Sequence, residues 1–298
     1  PPLRREGVVF LEVRSVNEMV IGMIGAGNMA DALIKGLLSR HVLPPDAIWA
    51  TNRSNRERLA GLQARYGVQI TPVKPPLLEA ASIVVLAVKP KDTREVLGQI
   101  TGVVRREQLV ISVIAGIPLA SLELALGGIP VIRAMPNTSA AVLASATALA
   151  AGRHATGEHL RTATRIFEAV GDAVTVREDL LDVVTALSGS GPAYVYRLIE
   201  AMIHAGTDLG LDGEMARRLA VQTLIGAARM LTESAADPGE LRRKVTSPGG
   251  TTMAALGVLE NHGFAEIVRE AISRAAERAR EMAAEFAVPD GQQVRPEV

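Results

Sequence analysis

A glycine-rich turn near the start of the chain constrains its fold more than any other feature of the sequence. An apolar run at residues 20–24 leads directly into Gly25-Ala26-Gly27-Asn28-Met29-Ala30, and a helical pattern follows. In this G-x-G-x-x-A spacing, Gly25 permits the tight turn, Gly27 lets the backbone approach a pyrophosphate, and Ala30 keeps the helix close to the sheet. An ordinary strand-to-helix turn is the alternative, but its position at the first such turn of the chain favours a dinucleotide site.

The chain from residue 20 to about residue 172 alternates short apolar runs with amphipathic segments. Such alternation is typical of parallel strands, because a helix must return the chain between them. We therefore predict an α/β fold whose N-terminal part is a Rossmann-type, doubly wound sheet. The predicted strands are residues 19–24, 47–51, 82–88, 109–114, 130–134 and 146–150, and the predicted helices are residues 28–39, 55–66, 92–100 and 119–126.

The second half of the chain has a different pattern. After Val176, β-branched runs disappear, and Ala, Leu, Met, Arg and Glu recur every three or four residues as far as Phe286. Long helices on a short chain need apolar partners, so we expect an all-helical C-terminal domain that forms a homodimer. The predicted helices are residues 180–188, 192–209, 213–233, 239–246, 251–260 and 264–287.

The length of 298 residues and the hydrophobic content of 48% suit two domains, each with its own core. We place a dinucleotide-binding domain at residues 19–175 and a helical substrate and dimerisation domain at residues 176–298. Residues 1–18 carry charges without a sustained apolar core, so they do not look like a secretory signal. Met19 is a candidate natural start, and if the native chain begins there, residues 1–18 are a non-native N-terminal extension.

Composition excludes several classes of partner. Lys plus Arg equals Asp plus Glu at 32 each, and aromatic residues are only 3% of the chain, so neither charge nor base stacking favours nucleic acid. The apolar stretches fall short of the roughly 20 residues that span a bilayer, so we expect no membrane association. The chain has no Cys, and its five His residues share no motif, so we expect no metal and a cytoplasmic location.

The end of the second predicted strand decides which dinucleotide binds. NAD-binding chains place an Asp or Glu there for the ribose hydroxyls, whereas this chain has Thr51-Asn52-Arg53-Ser54. Arg53, with donors from Asn52 and Ser54, suits a 2′-phosphate. NADPH is therefore the expected cofactor, and NADH is the alternative. Arg56 and Lys74 are either further phosphate ligands or solvated surface charges.

Three further segments follow predicted strands: Ala87-Val88-Lys89-Pro90, residues 112–116 with Ala115 and Gly116, and Met135-Pro136-Asn137. Ligands of doubly wound sheets bind outside the carboxyl ends of the strands. We expect the first segment to contact the cofactor largely through its backbone and the other two to line the nicotinamide side. A plain surface lysine is the alternative role for Lys89.

One segment of the helical half is not typical of a helix: Ser247-Pro248-Gly249-Gly250-Thr251-Thr252. It leads into an apolar helical pattern, so its backbone N–H groups and hydroxyls belong to a helix N-terminus. These donors can hold a small carboxylate without any Arg or Lys. An N-capping turn is the alternative, because Ser and Thr are common caps.

Five motifs occur in the order found in pyrroline-5-carboxylate reductases, and the chain resembles that family from Met19 to about Phe286. The motifs are residues 25–30, 87–90, 133–138, 187–194 and 244–260, and the last is the most specific. Two positions depart from the family pattern. Many relatives have Pro in place of Ser139, and the loop around Ala235, often acidic in relatives, is apolar here.

The resemblance implies NADPH-dependent reduction of 1-pyrroline-5-carboxylate to L-proline, with an active site between the two domains. It also implies a helical domain intertwined in a dimer, and often a ring of five dimers. Thr252 resembles the threonine proposed to hydrogen-bond the imine nitrogen, while Ser247 and the Gly249-Gly250-Thr251 backbone match the loop for the substrate carboxylate. The family's cofactor-contacting segments correspond to Gly25 through Ala30, Asn52-Arg53, Val88-Lys89-Pro90, Ala115-Gly116 and Asn137.

Two other functions remain open from the residues alone. Another Rossmann reductase with a helical second domain, such as a β-hydroxyacid dehydrogenase or an imine reductase for another ring, would share this fold. The hydroxyacid enzymes rely on a catalytic Lys in the helical domain, and here Lys244 is the only Lys after Lys91 and precedes the glycine loop. A non-catalytic module would bind NADPH without oxidising it.

Overall fold

The computed structural model describes residues 19–234 and 236–286. The predicted extension at residues 1–18 and the departure at Ala235 therefore lie outside the described residues. Contacts divide the chain into two units: the described part of the first is residues 19–181 and 283–286, and the second spans Asp182–Met282. A division by contacts is not a test of domain function, so the boundary predicted between residues 175 and 176 stays a prediction.

The described part of the first unit contains one eight-stranded sheet. Its strands are β1 (Ile21–Ile24), β2 (Ile48–Thr51), β3 (Gln69–Thr71), β4 (Ile83–Leu86), β5 (Leu109–Ser112), β6 (Val131–Met135), β7 (Ser145–Ala151) and β8 (Gly171–Thr175). They lie in the order β3-β2-β1-β4-β5-β6-β7-β8. The six strands from β3 to β6 are parallel, with Ile21 paired to both Ile48 and Ile83. This order confirms the doubly wound sheet.

Six helices accompany the sheet: α1 (Asn28–Ser39), α2 (Arg56–Tyr66), α3 (Lys74–Ala80), α4 (Thr93–Ile100), α5 (Leu119–Leu126) and α6 (Gly157–Glu168). Strands β1, β4 and β5 are buried along their whole length, as expected for parallel strands covered on both faces. Helix α1 adds Ala30, Leu33 and Leu37, which are fully buried and share one face of the helix. The apolar sequence thus fixes the direction in which α1 leaves the sheet.

The sheet differs from the prediction in the direction of one predicted strand, because β7 is antiparallel to β6. The physical reason is the length of the connection. Only residues 136–144 separate the two strands, and a parallel crossover needs a dozen residues or more. Elements β3, β8, α3 and α6 lie outside the predicted set.

The second unit is helical, as predicted. Its helices are α7 (Leu181–Val184), α8 (Gly191–Asp208), α9 (Gly213–Ser234), α10 (Pro238–Lys244), α11 (Thr251–Asn261) and α12 (Phe264–Phe286). The first residue of α7 and the last four residues of α12 belong to the first unit. Thr185–Gly189 forms a π-helical turn, closed by a 2.8 Å hydrogen bond from the Ser190 N–H to the Thr185 carbonyl oxygen. The helix predicted at residues 180–188 therefore changes its hydrogen-bond pattern partway.

Burial in the second unit is limited to small side chains. Within its described residues, every buried side chain is an alanine: Ala186, Ala216, Ala220, Ala276 and Ala279. Its large apolar side chains are partly or largely exposed, including Tyr196, Leu219, Met230 and Ile267, each more than half exposed. A unit of this size cannot be stable with so small a core, so these apolar faces need a cover.

Candidate dinucleotide and substrate sites

The predicted dinucleotide segments lie along one edge of the sheet. Because β1, β2, β4, β5 and β6 are parallel, the residues that follow them leave the sheet in the same direction. That edge is where doubly wound proteins bind their ligands. The segments that follow these strands begin at Gly25, Asn52, Ala87, Val113 and Pro136.

The backbone at Gly25 requires glycine. Its φ is +110°, and a Cβ at this position would lie 2.4 Å from the Ala87 carbonyl oxygen. The Gly25 N–H donates to the Thr51 carbonyl oxygen at 2.9 Å, and the Ala87 N–H donates to the Ile24 carbonyl oxygen at 2.9 Å. These two bonds tie the turn to β2 and to the end of β4.

Gly27 is open by comparison. Its φ of −75° and ψ of −175° suit any residue, and the nearest atom to an added Cβ would be the Ala87 carbonyl oxygen at 3.9 Å. Gly27 is the N-cap of α1, and within the described residues no side chain caps that helix. An uncapped helix start beneath an open backbone face fits a pyrophosphate.

A cavity of about 380 Å³ lies at this edge. Its lining includes most of the predicted cofactor residues: Gly25, Ala26, Gly27, Asn52, Arg53, Ser54, Ala87, Val88 and Lys89. Lys74 also lines the cavity, which favours the phosphate-ligand alternative for this residue, whereas Arg56 is not among the lining residues. The lining also includes five residues from α4 and the segment before it, which the sequence motifs did not indicate: Lys91, Asp92, Glu95, Val96 and Gln99.

Arg53 is held by acidic side chains in this cavity. Its guanidinium donates to the Glu95 carboxylate, and its second terminal nitrogen lies 3.9 Å from an Asp92 carboxylate oxygen. The hydrogen bond with Arg53 lowers the pKa of Glu95, which is therefore ionised at neutral pH. The predicted phosphate ligand thus already has a carboxylate partner from α4.

Arg58 is a structural residue of the site that the motifs did not indicate. Its Nε donates to the Ala26 carbonyl oxygen, and a terminal nitrogen donates to Asn28 Oδ1 at 2.6 Å. Asn55 caps α2 by accepting from the Arg58 N–H at 2.8 Å. The turn before it is shaped by Asn52, whose Oδ1 accepts from the Ser54 N–H at 3.1 Å. The cap at Asn55 signals the start of α2 but not these contacts, because Ala26 and Asn28 are about 30 residues from Arg58 in the sequence.

The remaining predicted cofactor residues are not among the lining residues of the cavity. Gly116 follows β5 with a φ of +76°, where glycine is favoured. Asn137 is 9% exposed, and its Oδ1 accepts from the Ser139 N–H at 3.1 Å. Their contact with a cofactor stays a prediction, as it does for the others of this group: Asn28, Met29, Pro90 and Ala115.

The predicted substrate loop precedes α11 in the second unit. Gly249 has a φ of +68°, and the Gly250 N–H donates to the Ser247 carbonyl oxygen at 3.1 Å. The N-cap is Gly250, and no side chain in the described chain caps α11. The N-capping alternative for Ser and Thr is therefore wrong, and the hydroxyls of Ser247, Thr251 and Thr252 are not used as caps.

Lys244 does not have the placement expected of a catalytic lysine. It ends α10, is exposed, and lies 2.7 Å from Glu240 one helical turn earlier. This spacing is the ordinary i, i+4 surface ion pair. The hydroxyacid dehydrogenase alternative loses its candidate catalytic residue.

Comparison with known proteins gives the family. The profile described as pyrroline-5-carboxylate reductase dimerisation matches residues 178–282, and the one described as NADP oxidoreductase coenzyme F420-dependent matches residues 20–116. Pyrroline-5-carboxylate reductase 2 of Bacillus subtilis is 44% identical over 268 residues, which are 90% of this chain and 96% of the relative. The chain belongs to the pyrroline-5-carboxylate reductase family. The Methanosarcina acetivorans reductase is similar at 42% identity, over 88% of this chain and 97% of its own.

Solved structures of this reductase family have the same fold. The Coxiella burnetii pyrroline-5-carboxylate reductase has a TM-score of 0.86 at 38% identity, covering 90% of this chain and 99% of its own. The Plasmodium falciparum reductase, solved with NADP bound, has a TM-score of 0.79 at 27% identity, covering 89% and 98%. The order of strands and helices described above is therefore that of the family.

The described residues contain neither a metal-binding cluster nor a membrane-spanning helix. No group of three or more His, Cys, Asp or Glu side chains lies close enough to hold a metal ion in residues 19–234 and 236–286. Over the same ranges, no helix is both long enough and apolar enough to cross a bilayer. The expected absence of a metal remains a prediction.

Proposed function

We propose that this reductase-family chain reduces 1-pyrroline-5-carboxylate to L-proline with NADPH. The observation that carries the proposal is the start of α11, where a glycine N-cap leaves the first-turn N–H groups and the hydroxyls of Ser247, Thr251 and Thr252 available to a ligand. A helix N-terminus with exposed amides favours a carboxylate. The relatives of this chain are named for the same substrate.

The loop binds and orients the substrate. The Ser247 hydroxyl and the Thr251 N–H hold the carboxylate, and the Thr252 hydroxyl donates to the ring nitrogen. Gly249 and Gly250 shape the loop around the carboxylate, since their own N–H groups donate within it, to Met253 Sδ at 3.4 Å and to the Ser247 carbonyl oxygen at 3.1 Å. Thr252 is half-buried in the first turn of α11, which places its side chain beside the loop. Fixed alignment of this kind contributes several kcal/mol to a hydride transfer, whose electrons the nicotinamide supplies when bound.

The coenzyme-binding residues belong to the first unit. Gly25, Ala26 and Gly27 hold the pyrophosphate through their backbone and the start of α1. Arg53, with Asn52 and Ser54, binds the 2′-phosphate of NADPH. Ala87, Val88 and Lys89 also line the cavity, and Asn28, Met29, Pro90, Ala115, Gly116 and Asn137 complete the set on the family resemblance. The cavity lining supports the first nine of these residues, and the NADP-bound relative supports the choice of coenzyme.

One assay tests the reaction. Purified protein is mixed with NADPH and pyrroline-5-carboxylate, and the loss of reduced-nicotinamide absorbance is followed together with the appearance of proline. A protein that binds NADPH but does not oxidise it when the imine is added would contradict the proposal. That result would instead support a non-catalytic NADP-binding module.

Substitutions of Thr252 test the substrate loop. Thr252→Ala should lower kcat/KM by up to about 10²-fold, as for loss of an oxyanion-type donor, with little change in thermal stability. Thr252→Ser keeps the hydroxyl and should restore most of the activity. The control is Thr232→Ala, because Thr232 is exposed on α9 and its hydroxyl donates within its own helix, to the Arg229 carbonyl oxygen. Unchanged kinetics in Thr252→Ala would refute the assigned role.

We also propose a cytoplasmic homodimer that assembles further into a decamer. The alanine-only core of the second unit and its exposed apolar helices support pairing with a second copy. The ring of five dimers is inferred from the family resemblance, and the lack of Cys in the chain supports a reducing compartment. Light scattering after size-exclusion chromatography distinguishes a dimer from a decamer, and a stable monomer would contradict both.

A further inference from the structure

The cavity contains a carboxylate beside the residue expected to distinguish NADPH from NADH. Glu95 projects from α4 into the cavity that Arg53 lines from the end of β2. In doubly wound folds the end of β2 is where an Asp or Glu accepts from the ribose 2′-hydroxyl, or where an Arg binds the 2′-phosphate. The end of β2 in this chain offers only the arginine. The missing carboxylate comes from another element.

Both oxygens of Glu95 are engaged by cavity residues. One accepts from the Arg53 guanidinium, and the other accepts from Gln99 Nε2 at 3.2 Å. Gln99 in turn accepts from Lys74 Nζ. Asp92 adds a second carboxylate 3.9 Å from Arg53. Arg53 and Lys74 are therefore accompanied by two carboxylates, so this part of the cavity is not a purely basic phosphate pocket, although Lys89 and Lys91 also line the cavity.

We propose that Glu95 is a specificity-determining residue, which favours NADH by accepting from the ribose 2′-hydroxyl and opposes NADPH by repelling the 2′-phosphate. This inference rests on the proposed use of a nicotinamide coenzyme in this cavity. Arg53 acts in the opposite direction, since its guanidinium binds the phosphate. The pair together sets how far the enzyme distinguishes the two coenzymes.

Glu95 weakens the binding of NADPH in two ways. A 2′-phosphate bound to Arg53 has close to two negative charges, and it lies beside an ionised carboxylate that bonds the same guanidinium. The phosphate must also compete with Glu95 for the donors of Arg53. A 2′-hydroxyl has neither cost, because it can donate to Glu95 while the ion pair with Arg53 persists.

The test is a pair of binding titrations on the full-length protein, with NADPH and with NADH, in the absence of any imine. Glu95→Gln keeps the shape of the side chain and removes its charge, so the Kd for NADPH should fall roughly two- to fivefold, as expected for an exposed charge pair. Glu95→Ala also removes the acceptor and should raise the Kd for NADH by a similar factor. Glu107→Gln is the control, because Glu107 is exposed and is not among the cavity-lining residues.

Each outcome decides the inference. An unchanged ratio of the two Kd values in both variants would overturn it, and so would a parallel loss of NADPH and NADH affinity, which would indicate a change in cavity shape. Melting curves of both variants show whether the fold is intact. Because the titrations contain no imine, they remain valid if the protein fails to reduce pyrroline-5-carboxylate, and a negative result leaves the proposed reaction untouched.

Discussion

Gly25 and Gly27 are two residues apart, and we predict that replacing them with alanine has opposite consequences. Gly25→Ala should destabilise the protein, because a φ of +110° is strained for alanine and the new Cβ would lie 2.4 Å from the Ala87 carbonyl oxygen. Gly27→Ala should leave stability nearly unchanged, since its backbone angles suit alanine and the nearest atom is 3.9 Å away. Its methyl group would instead cover the surface that a pyrophosphate approaches.

The expected size of the Gly25 effect comes from two terms. The unfavourable φ costs about 1–3 kcal/mol in a residue with a Cβ. Relieving the contact requires Ala87 to move, which weakens the 2.9 Å hydrogen bond from the Ala87 N–H to Ile24 and costs about 1 kcal/mol more. A loss of about 2–4 kcal/mol corresponds to a decrease in Tm of roughly 5–15 °C for a unit of this length.

Thermal melting followed by circular dichroism measures the first effect, and titration with NADPH measured by fluorescence gives the second. Gly27→Ala should melt within about 2 °C of the wild type, because the gain from a less flexible unfolded chain offsets a poorer N-cap. Its Kd for NADPH should rise at least about tenfold if the glycine allows the backbone to approach the pyrophosphate. The reasoning fails if Gly27→Ala melts as early as Gly25→Ala, or if it binds NADPH as tightly as the wild type.

Three further changes test other parts of the first unit. Arg53→Ala should raise the KM for NADPH much more than that for NADH, and equal effects on the two coenzymes would argue against 2′-phosphate recognition. Glu178→Gln should lower stability to urea by about 1–2 kcal/mol, because it weakens a charge-assisted bond to the buried Arg133 at 3.2 Å; an unchanged urea midpoint would contradict this. His159 accepts from the Thr156 N–H at 3.0 Å, and burial lowers its pKa below the value in the unfolded chain. The contribution of His159 to the free energy of unfolding is therefore present above about pH 6.5 and decreases as the pH falls. His159→Gln should reduce that dependence in melts at pH 5 and pH 8, and an identical pH dependence would exclude His159 as its source.

The elements predicted best are those with clear local signals at both ends. Helices α1 and α5 have the predicted bounds, since the fingerprint glycine precedes α1, and α5 begins after Pro118 and ends before Gly127. A Pro before the helix and a Gly after it are strong boundary signals. Here local sequence and tertiary structure agree, so the pattern alone is sufficient.

The missed elements have weak or misleading signals. Helix α3 begins Lys74-Pro75-Pro76, which looks like an interruption, although Pro is tolerated in the first turn of a helix. Strand β3 has only three residues, too few for a periodicity to appear. Helix α6 has a usable signal in its Thr156 cap and in the spacing of Ala163 and Ile166, both buried. For α6 the information was present in the sequence, whereas for β3 it depends on pairing with β2.

The coenzyme site shows why a motif at one strand end could not give the whole answer. The absence of a carboxylate at residues 51–54 favoured NADPH, and that inference assumed that the residues reading the ribose all come from one segment. In the fold, α4 brings Glu95 against Arg53 from 42 residues along the chain. The charge that Arg53 presents to a ligand therefore depends on α4, whose position is fixed by the tertiary fold and not by the β2 segment. Coenzyme preference in this chain is a property of that pair, so it can be altered from α4 without touching the β2 segment.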